Sequence, residues 1–303
     1  MNNKILFLDA EFVDNQEIIE LSVWNHLGKE VYHQFFRPAE IDEWPLSQTV
    51  HHISPEDVAE SPAFTRCRRD IQKIIDEAEY IVGFAVSGDI NHLKASGIAR
   101  LDQKKVIDIK HLFWLYLGID MELDFYGIPG LGKVSEMLGI EFGEKGAHSA
   151  SEDTLVTLKC FNALAAMIPD APYDGESYES FCKSMERYQE EFDVAKDNYE
   201  RKKAHGWIHI FSTPEKSIYK LSFKRREPEE SDMLVGKVEV GDLSKAESEV
   251  IGMFQRKMLP GRRSLFRLSK KDLKDLLAYS NEYGNEEDHN LSKKLLMLQK
   301  RYR

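Results

Sequence analysis

The chain has 303 residues, 42% hydrophobic and 31% charged, which is enough apolar matter for packed cores and excludes a globally disordered chain. No apolar run approaches the roughly 18 to 20 residues of a membrane span. The three cysteines, Cys67, Cys160 and Cys182, are too scattered for a disulfide framework or a zinc site, so a reduced, cytoplasmic setting is expected.

The net charge of −11 taken whole argues against a polyanionic partner, but it is unevenly spread. Residues 1–205 hold 21 lysines and arginines against 37 acids, a net −16, whereas residues 206–303 hold 20 against 15, a net +5. Two readings follow. Either the two parts are solvated surfaces of different composition, or the acidic part works through cations while the basic part holds a polyanion.

In chain order, Met1-Asn2-Asn3-Lys4 leads into Ile5-Leu6-Phe7-Leu8, too short an apolar stretch for a signal peptide and typical of a buried central strand. Further strands are predicted over Ile18–Trp24 and Val31–Phe36. A loop-rich stretch punctuated by Pro38, Pro45, Pro55 and Pro62 follows. Phe64–Ala78 reads as an amphipathic helix, Tyr80–Phe84 as a strand, Ile90–Ala95 as a helix, Val106–Ile109 as a strand end and Leu112–Leu117 as a helix. Glycines 127, 130 and 132 precede a short helix near Val134–Leu138. From Ser151 to Met167 the spacing of Leu155, Val156, Leu158, Phe161, Leu164 and Ala165 makes a buried helix face. This order predicts a mixed α/β domain over residues 1–170, then a charged helical connector over 171–205. A smaller α/β domain over 206–303 completes the chain, with strands at 207–211, 217–223 and 236–240, a helix at 244–258, the strand Leu265–Leu268 and a helix from Lys270.

Three acidic elements carry chemistry. Asp9 and Glu11 are two apart where the first strand ends, so both carboxylates point to one side of the sheet, an arrangement a hard divalent cation relieves. Asp89 follows Gly83-Phe84-Ala85-Val86-Ser87-Gly88, where a buried strand gives way to a helix. Ser149-x-x-Glu152 matches a capping box, which places His148 just before a helix and Asp153 in its first turn. Each has a bland reading as a polar strand edge, a charge suited to the helix dipole, or a capped helix beside an incidental histidine. Together, four acids and one histidine at element edges are what two-metal phosphodiester hydrolysis requires.

The ordered set resembles the DEDDh 3′→5′ exonucleases, the group of the proofreading epsilon subunit and RNase T, over residues 3–168. Phe7-Leu8-Asp9-Ala10-Glu11 is similar to that family's first motif, and Glu17-Ile18-Ile19-Glu20-Leu21 to the strand after it. The stretch from Thr49-Val50-His51-His52 to Asp57-Val58 is similar to the segment before the second motif, which runs from Ile81-Val82-Gly83 to Asp89. The third, H-x-A-x-x-D, spans His148 to Asp153. The resemblance implies an RNase H-like fold, with Asp9, Glu11, Asp89 and Asp153 as carboxylates for two Mg2+ or Mn2+ ions and His148 as general base. It also implies a nucleic-acid 3′ end as substrate and nucleoside monophosphates as products, with Ala10, Phe12, His51 and Phe84 around the terminal nucleotide. Phe12-Val13 and Phe84-Ala85 depart from the family's usual residues and alter the expected setting of that nucleotide.

Residues 206–280 resemble a degenerate GIY-YIG nuclease module through Gly206-Trp207-Ile208-His209-Ile210, Ser217-Ile218-Tyr219-Lys220-Leu221-Ser222 and Glu247. His209, Ser222 and Ser231 stand where that family's motif residues are expected, so a unit that binds nucleic acid without cutting it is anticipated. Arg225, Arg226, Arg256, Lys257, Arg262 and Arg263 would contact phosphates, and Trp207 or Tyr219 would stack on bases. The whole is expected to act as an exonuclease in DNA repair or RNA processing, with any polymerase partner left open. The alternatives are a non-catalytic nucleic-acid scaffold and a dual nuclease whose second unit also cleaves.

Overall fold

The computed structural model describes residues 3–13, 17–143 and 148–281, and the side chain of Arg263 lies outside the described set. The chain divides into two compact units, Met1–Asp193 and Val194–Arg303. No helix among the described residues is long and apolar enough to cross a membrane.

The first unit is built on a five-stranded sheet. Strands β1 (Ile5–Val13), β2 (Glu17–Asn25) and β3 (Glu30–Phe35) form an antiparallel meander. Strands β4 (Tyr80–Gly83) and β5 (Lys105–Asp108) add in parallel on the other side of β1, giving the order β3-β2-β1-β4-β5. Ile5, Leu6, Phe7 and Leu8 are all buried because β1 is central and covered on both faces, the usual reason for an unbroken apolar run.

Helices α1 (Pro45–His51), α2 (Pro55–Val58), α3 (Phe64–Glu77) and α4 (Ser87–Ala95) follow the meander. Ile71 and Ile75 of α3 and Ile90 and Leu93 of α4 share one core cluster with Leu6, Leu8 and Ala10. The alternate residues of β1 therefore face the opposite layer. There Phe7 meets Phe161 of the helix Ala150–Ala165 edge-on, with ring centroids 5.3 Å apart. Between α4 and that helix lie α5 (Ile109–Phe113) and α6 (Leu131–Met137), so the long one is α7. The predicted helix over Leu112–Leu117 begins earlier, at Ile109, and finishes as a π-helical turn over Trp114–Gly118.

Helix α8 (Tyr178–Ala204) starts later than residue 174, because the Asp174 carboxylate accepts from the backbone N–H of Glu176 and Ser177, both at 2.8 Å, and holds a turn there. The division between the units falls within this helix. Phe181 of α8 stacks edge-on with Tyr80 at 4.9 Å and lies 5.6 Å from Phe161.

In the second unit β6 (Gly206–Ser212), β7 (Ile218–Lys224), β8 (Leu234–Val240), β9 (Met258–Leu259) and β10 (Arg262–Arg267) form a sheet of order β8-β6-β7-β10-β9 in which every neighbouring pair is antiparallel. Helices α9 (Leu243–Phe254) and α10 (Lys270–Leu277) supply Ala246, Val250, Phe254 and Leu276 to its core, against Ile208, Ile210 and Leu221. Helix α9 ends before the expected residue 258, because Met258–Leu259 is drawn into the sheet beside β10 and Gly261, with a positive φ, turns the chain between them.

Candidate active site

The end of β1 gathers the acids. Asp9 and Glu11 point to the α7 side of the sheet, and the β1–β2 register sets Asp9 opposite Ser22 and Glu11 opposite Glu20, with an irregularity just beyond Glu11. Two carboxylates directly across an antiparallel ladder repel. Asp153 comes in from the first turn of α7, and Asp89 from the first turn of α4.

Asp89 is held from two directions. Its carboxylate accepts from the backbone N–H of Ala10 at 3.1 Å, between the two β1 acids. The turn that delivers it depends on Gly83, where a Cβ would lie 2.7 Å from that of Val86 and 3.1 Å from the Leu8 carbonyl. The same turn places Ala85 in the left-handed region at φ 54°. Asp108, at the end of β5, accepts from the Ala85 N–H at 3.0 Å and caps α5 through the Lys110 N–H at 3.0 Å. The side chain of Ala10 is buried in the core, and its backbone N–H is the one from which Asp89 accepts.

The electrostatics follow from burial and crowding. The Asp9 carboxyl is held well above the usual carboxylate range, by burial first and then by the charges of Asp89, Glu11, Asp153 and Glu20. Burial, with Asp153, Glu20 and Asp89, pushes Glu11 up to about 8. Asp89 rises to about 7, chiefly through burial, although its backbone hydrogen bonds oppose the shift. Asp153 rises to about 6, again mainly by burial. Such a cluster favours either protons or cations. Ligand atoms of Glu11, His148 and Asp153 lie within 4.8 Å of one another, so these residues form a group able to hold a metal ion. Hard oxygen donors joined by one imidazole suit a small divalent cation.

His148 is exposed and sits at φ 72°, with its backbone N–H 3.3 and 3.4 Å from the two Asp153 carboxylate oxygens. The expected capping box does not form. Ser149 occupies the N-cap position without a side-chain cap bond, and Glu152 accepts from the Gly143 N–H instead. The cap comes from β2: the buried Glu20 carboxylate accepts from the Ala150 N–H at 3.0 Å, the Ser149 hydroxyl at 3.4 Å and His33 Nε2 at 2.8 Å. Glu30 reinforces this by accepting from Ser151 at 2.7 Å and Ser22 at 3.3 Å. Sequence reasoning placed Glu20 in a strand but missed this role; its signal was an acid in an otherwise apolar strand, Glu17-Ile18-Ile19-Glu20-Leu21.

Glu20→Ala strands three donors at once and is expected to lower stability by about 1–3 kcal/mol. Glu20→Gln keeps one acceptor oxygen and should recover at least half of that loss. Urea unfolding of both variants checks this, and equal losses would contradict the capping role.

The remaining expected residues take these positions. Phe12 stacks on His92 with centroids 4.1 Å apart. His51 is buried at 5% exposure, and its Nδ1 accepts from the Ile53 N–H at 3.0 Å. Burial lowers the His51 pKa, while the Glu20 charge and the Phe12 backbone pull it partly back. Phe84 is half-buried, with Lys110 Nζ 5.8 Å from its ring centroid. In the second unit Trp207 is half-buried and His209 Nε2 lies 2.9 Å from the Arg226 carbonyl. Arg225, Arg226, Arg256, Arg262 and Glu247 are exposed, whereas Lys257 pairs with Asp272 at 2.5 Å. Tyr219 packs against the helix-side core, on the opposite face from Trp207, so the two do not form one stacking surface.

Residues 7–161 match the family model described as exonuclease, of the RNase T type. No curated protein matches the chain. Similar solved structures include a 3′-exonuclease in 3′-end specific recognition of a histone mRNA stem-loop, at 16% identity and TM-score 0.41, covering 54% of this chain and 63% of that one. Cell-death related nuclease 4 is similar at 14% identity and TM-score 0.42, over 52% and 62%. Exonuclease X in complex with 5′ overhanging duplex DNA is similar at 18% identity and TM-score 0.38, over 59% and 98%. The chain thus spans less than two thirds of the first two.

Proposed function

The chain belongs to the RNase T-type exonuclease family, and from that premise we propose that it removes nucleoside monophosphates one at a time from a DNA or RNA 3′ end with two divalent cations, Mg2+ or Mn2+. The observation that carries this reading is the gathering of Asp9, Glu11, Asp89 and Asp153 at the end of β1, where burial raises all four pKa values and, for Asp9 and Glu11, the neighbouring acids of the set raise them further. Those four side chains would hold the ions. Bound there, the cations supply charge that stabilises the pentacovalent phosphate and acidify the attacking water. His148, on the exposed side of Asp153, takes the water's proton at an unprotonated ring nitrogen and releases it to solvent. Phe12, His51 and Phe84 bound the space for the terminal nucleotide, with Ala10 contributing backbone. The second unit holds nucleic acid rather than cutting it; its motif resemblance to a GIY-YIG module, including the exposed Glu247, supports descent from a nuclease.

Incubation of 5′-labelled DNA and RNA oligonucleotides with Mg2+, Mn2+ or EDTA tests the proposal. A descending ladder with metal and none with EDTA is expected, while a circular single strand stays intact. A ladder that persists in EDTA overturns the metal assignment. Cleavage of the circle would assign endonuclease activity to the second unit, and binding without any ladder would favour a scaffold.

A further inference from the structure

The β6–β7 register arranges the outer face of the second sheet in a way the sequence alone conceals. Trp207 lies opposite Lys224, His209 opposite Ser222 and Phe211 opposite Lys220. Ile208, Ile210 and Leu221 point the other way, into the core. The outward face therefore carries two cation–aromatic pairs flanking a histidine–serine pair. On one strand Lys220 and Lys224 are about 13–14 Å apart, and each is about 5 Å, one strand spacing, from its aromatic neighbour's strand. Arg267 of β10, opposite Ile218, extends the cationic line one step further along the same face.

Charge neutralisation across this face is lopsided. Strands β7 and β8 are both antiparallel to β6, hence parallel to each other, so the connection 225–233 must run back along β6. It does so close to the sheet, with the Arg226 carbonyl on His209 Nε2 at 2.9 Å and Glu227 paired to Lys237 of β8. Lys237 in turn lies 5.7 Å from the Trp207 ring centroid. On the β7–β10 side, Lys220, Lys224 and Arg267 are exposed, and no ion pair joins them to a carboxylate among the described residues. That half of the face is an uncompensated cationic strip beside half-buried aromatic rings.

We infer that this strip, Lys220, Lys224 and Arg267 with Phe211 and Trp207, is the surface on which the second unit binds single-stranded nucleic acid, phosphates on the cations and bases against the rings. The inference rests on the reading of that unit as a nucleic-acid holder and gives it a face. Unpaired bases expose the π-surface on which aromatic side chains stack, whereas duplex hides it. The exposed Arg225, Arg226 and Arg256 need not contribute.

The test is fluorescence anisotropy of the full chain with a labelled circular single-stranded DNA in EDTA, which offers no 3′ end. Tight binding at low salt is expected. The triple variant Lys220→Gln, Lys224→Gln, Arg267→Gln should weaken it about tenfold or more and shrink the slope of log affinity against log salt by about two, at ~0.7 per cation on a single strand. Phe211→Leu should weaken binding about tenfold without changing that slope. Lys271→Gln, an exposed change on α10, should do neither, and thermal melts confirm that each variant is folded. Absence of binding by the unaltered chain overturns both this inference and the holding role of the second unit, while leaving the exonuclease reading to its own ladder assay. Loss of binding in Arg225→Gln, Arg226→Gln with none in the triple variant overturns the face alone. A preference for duplex that ignores Phe211 overturns the single-strand assignment.

Discussion

Asp9→Asn is expected to cut nucleotide release by about a thousandfold or more while raising the melting temperature of the cation-free protein. The two effects share one cause. On the proposed mechanism, replacing the charge by an isosteric amide removes a metal ligand worth several kcal/mol of transition-state stabilisation, about 4 kcal/mol being a thousandfold in rate. The same change deletes a charge that burial and four neighbouring carboxylates make unfavourable in the folded state. Each kcal/mol relieved is worth about 2–4 °C in a chain of this size class. Nucleotide-release assays and thermal melts in EDTA check both halves. Retained activity would remove Asp9 from the metal site, and a lowered melting temperature would mean that its charge is satisfied within the protein itself.

Cation-free protein is expected to lose stability between about pH 5 and pH 9, and Mg2+ to restore it most at the alkaline end. Unfolded carboxyls titrate near pH 4, whereas folded Asp153, Asp89 and Glu11 titrate near 6, 7 and 8. Between these limits the folded state binds more protons than the unfolded one, so unfolding free energy falls as pH rises, and the loss is complete above the highest folded value. A cation competes with those protons, which makes its stabilisation small near pH 5. At pH 8.5 the stabilisation approaches ~2.7 kcal/mol at a hundredfold excess over the dissociation constant. Melting curves of wild type and Glu11→Gln, each with EDTA and with Mg2+, isolate the site from other titrating groups through their difference. A wild-type-minus-variant difference that grows more favourable with rising pH in EDTA would contradict the assignment.

Much of the first unit was legible because its signals are local. Ile5-Leu6-Phe7-Leu8 is an apolar run of the kind a strand covered on both faces shows, and period two then sets Asp9 and Glu11 to one side. Helix α7 declared most of its buried face through the spacing of its apolar residues, although Leu155 is only half-buried and Thr154, Thr157 and Cys160 are buried with the rest. What escaped notice depends on register and long-range contact. The Glu11–Glu20 opposition is fixed by strand pairing across a turn. The α7 cap is not legible locally: Ser149 and Glu152 satisfy the capping pattern, yet a buried carboxylate on β2, which needs donors of its own, takes the Ala150 N–H and the Ser149 hydroxyl. Tyr219 and Trp207 looked like alternatives for stacking until pairing parity set them on opposite faces of the sheet.

Asp108 draws the outer strand of the first sheet into the geometry of its acids. Through the Ala85 amide it governs a left-handed bend, and that bend sets how far Asp89 reaches toward Ala10. Strand β5 thus behaves as a remote adjuster. A one-residue slip or insertion there would detune the constellation while every acid kept its identity, so, on the proposed function, the tolerance of this segment to change is governed by catalysis as much as by folding.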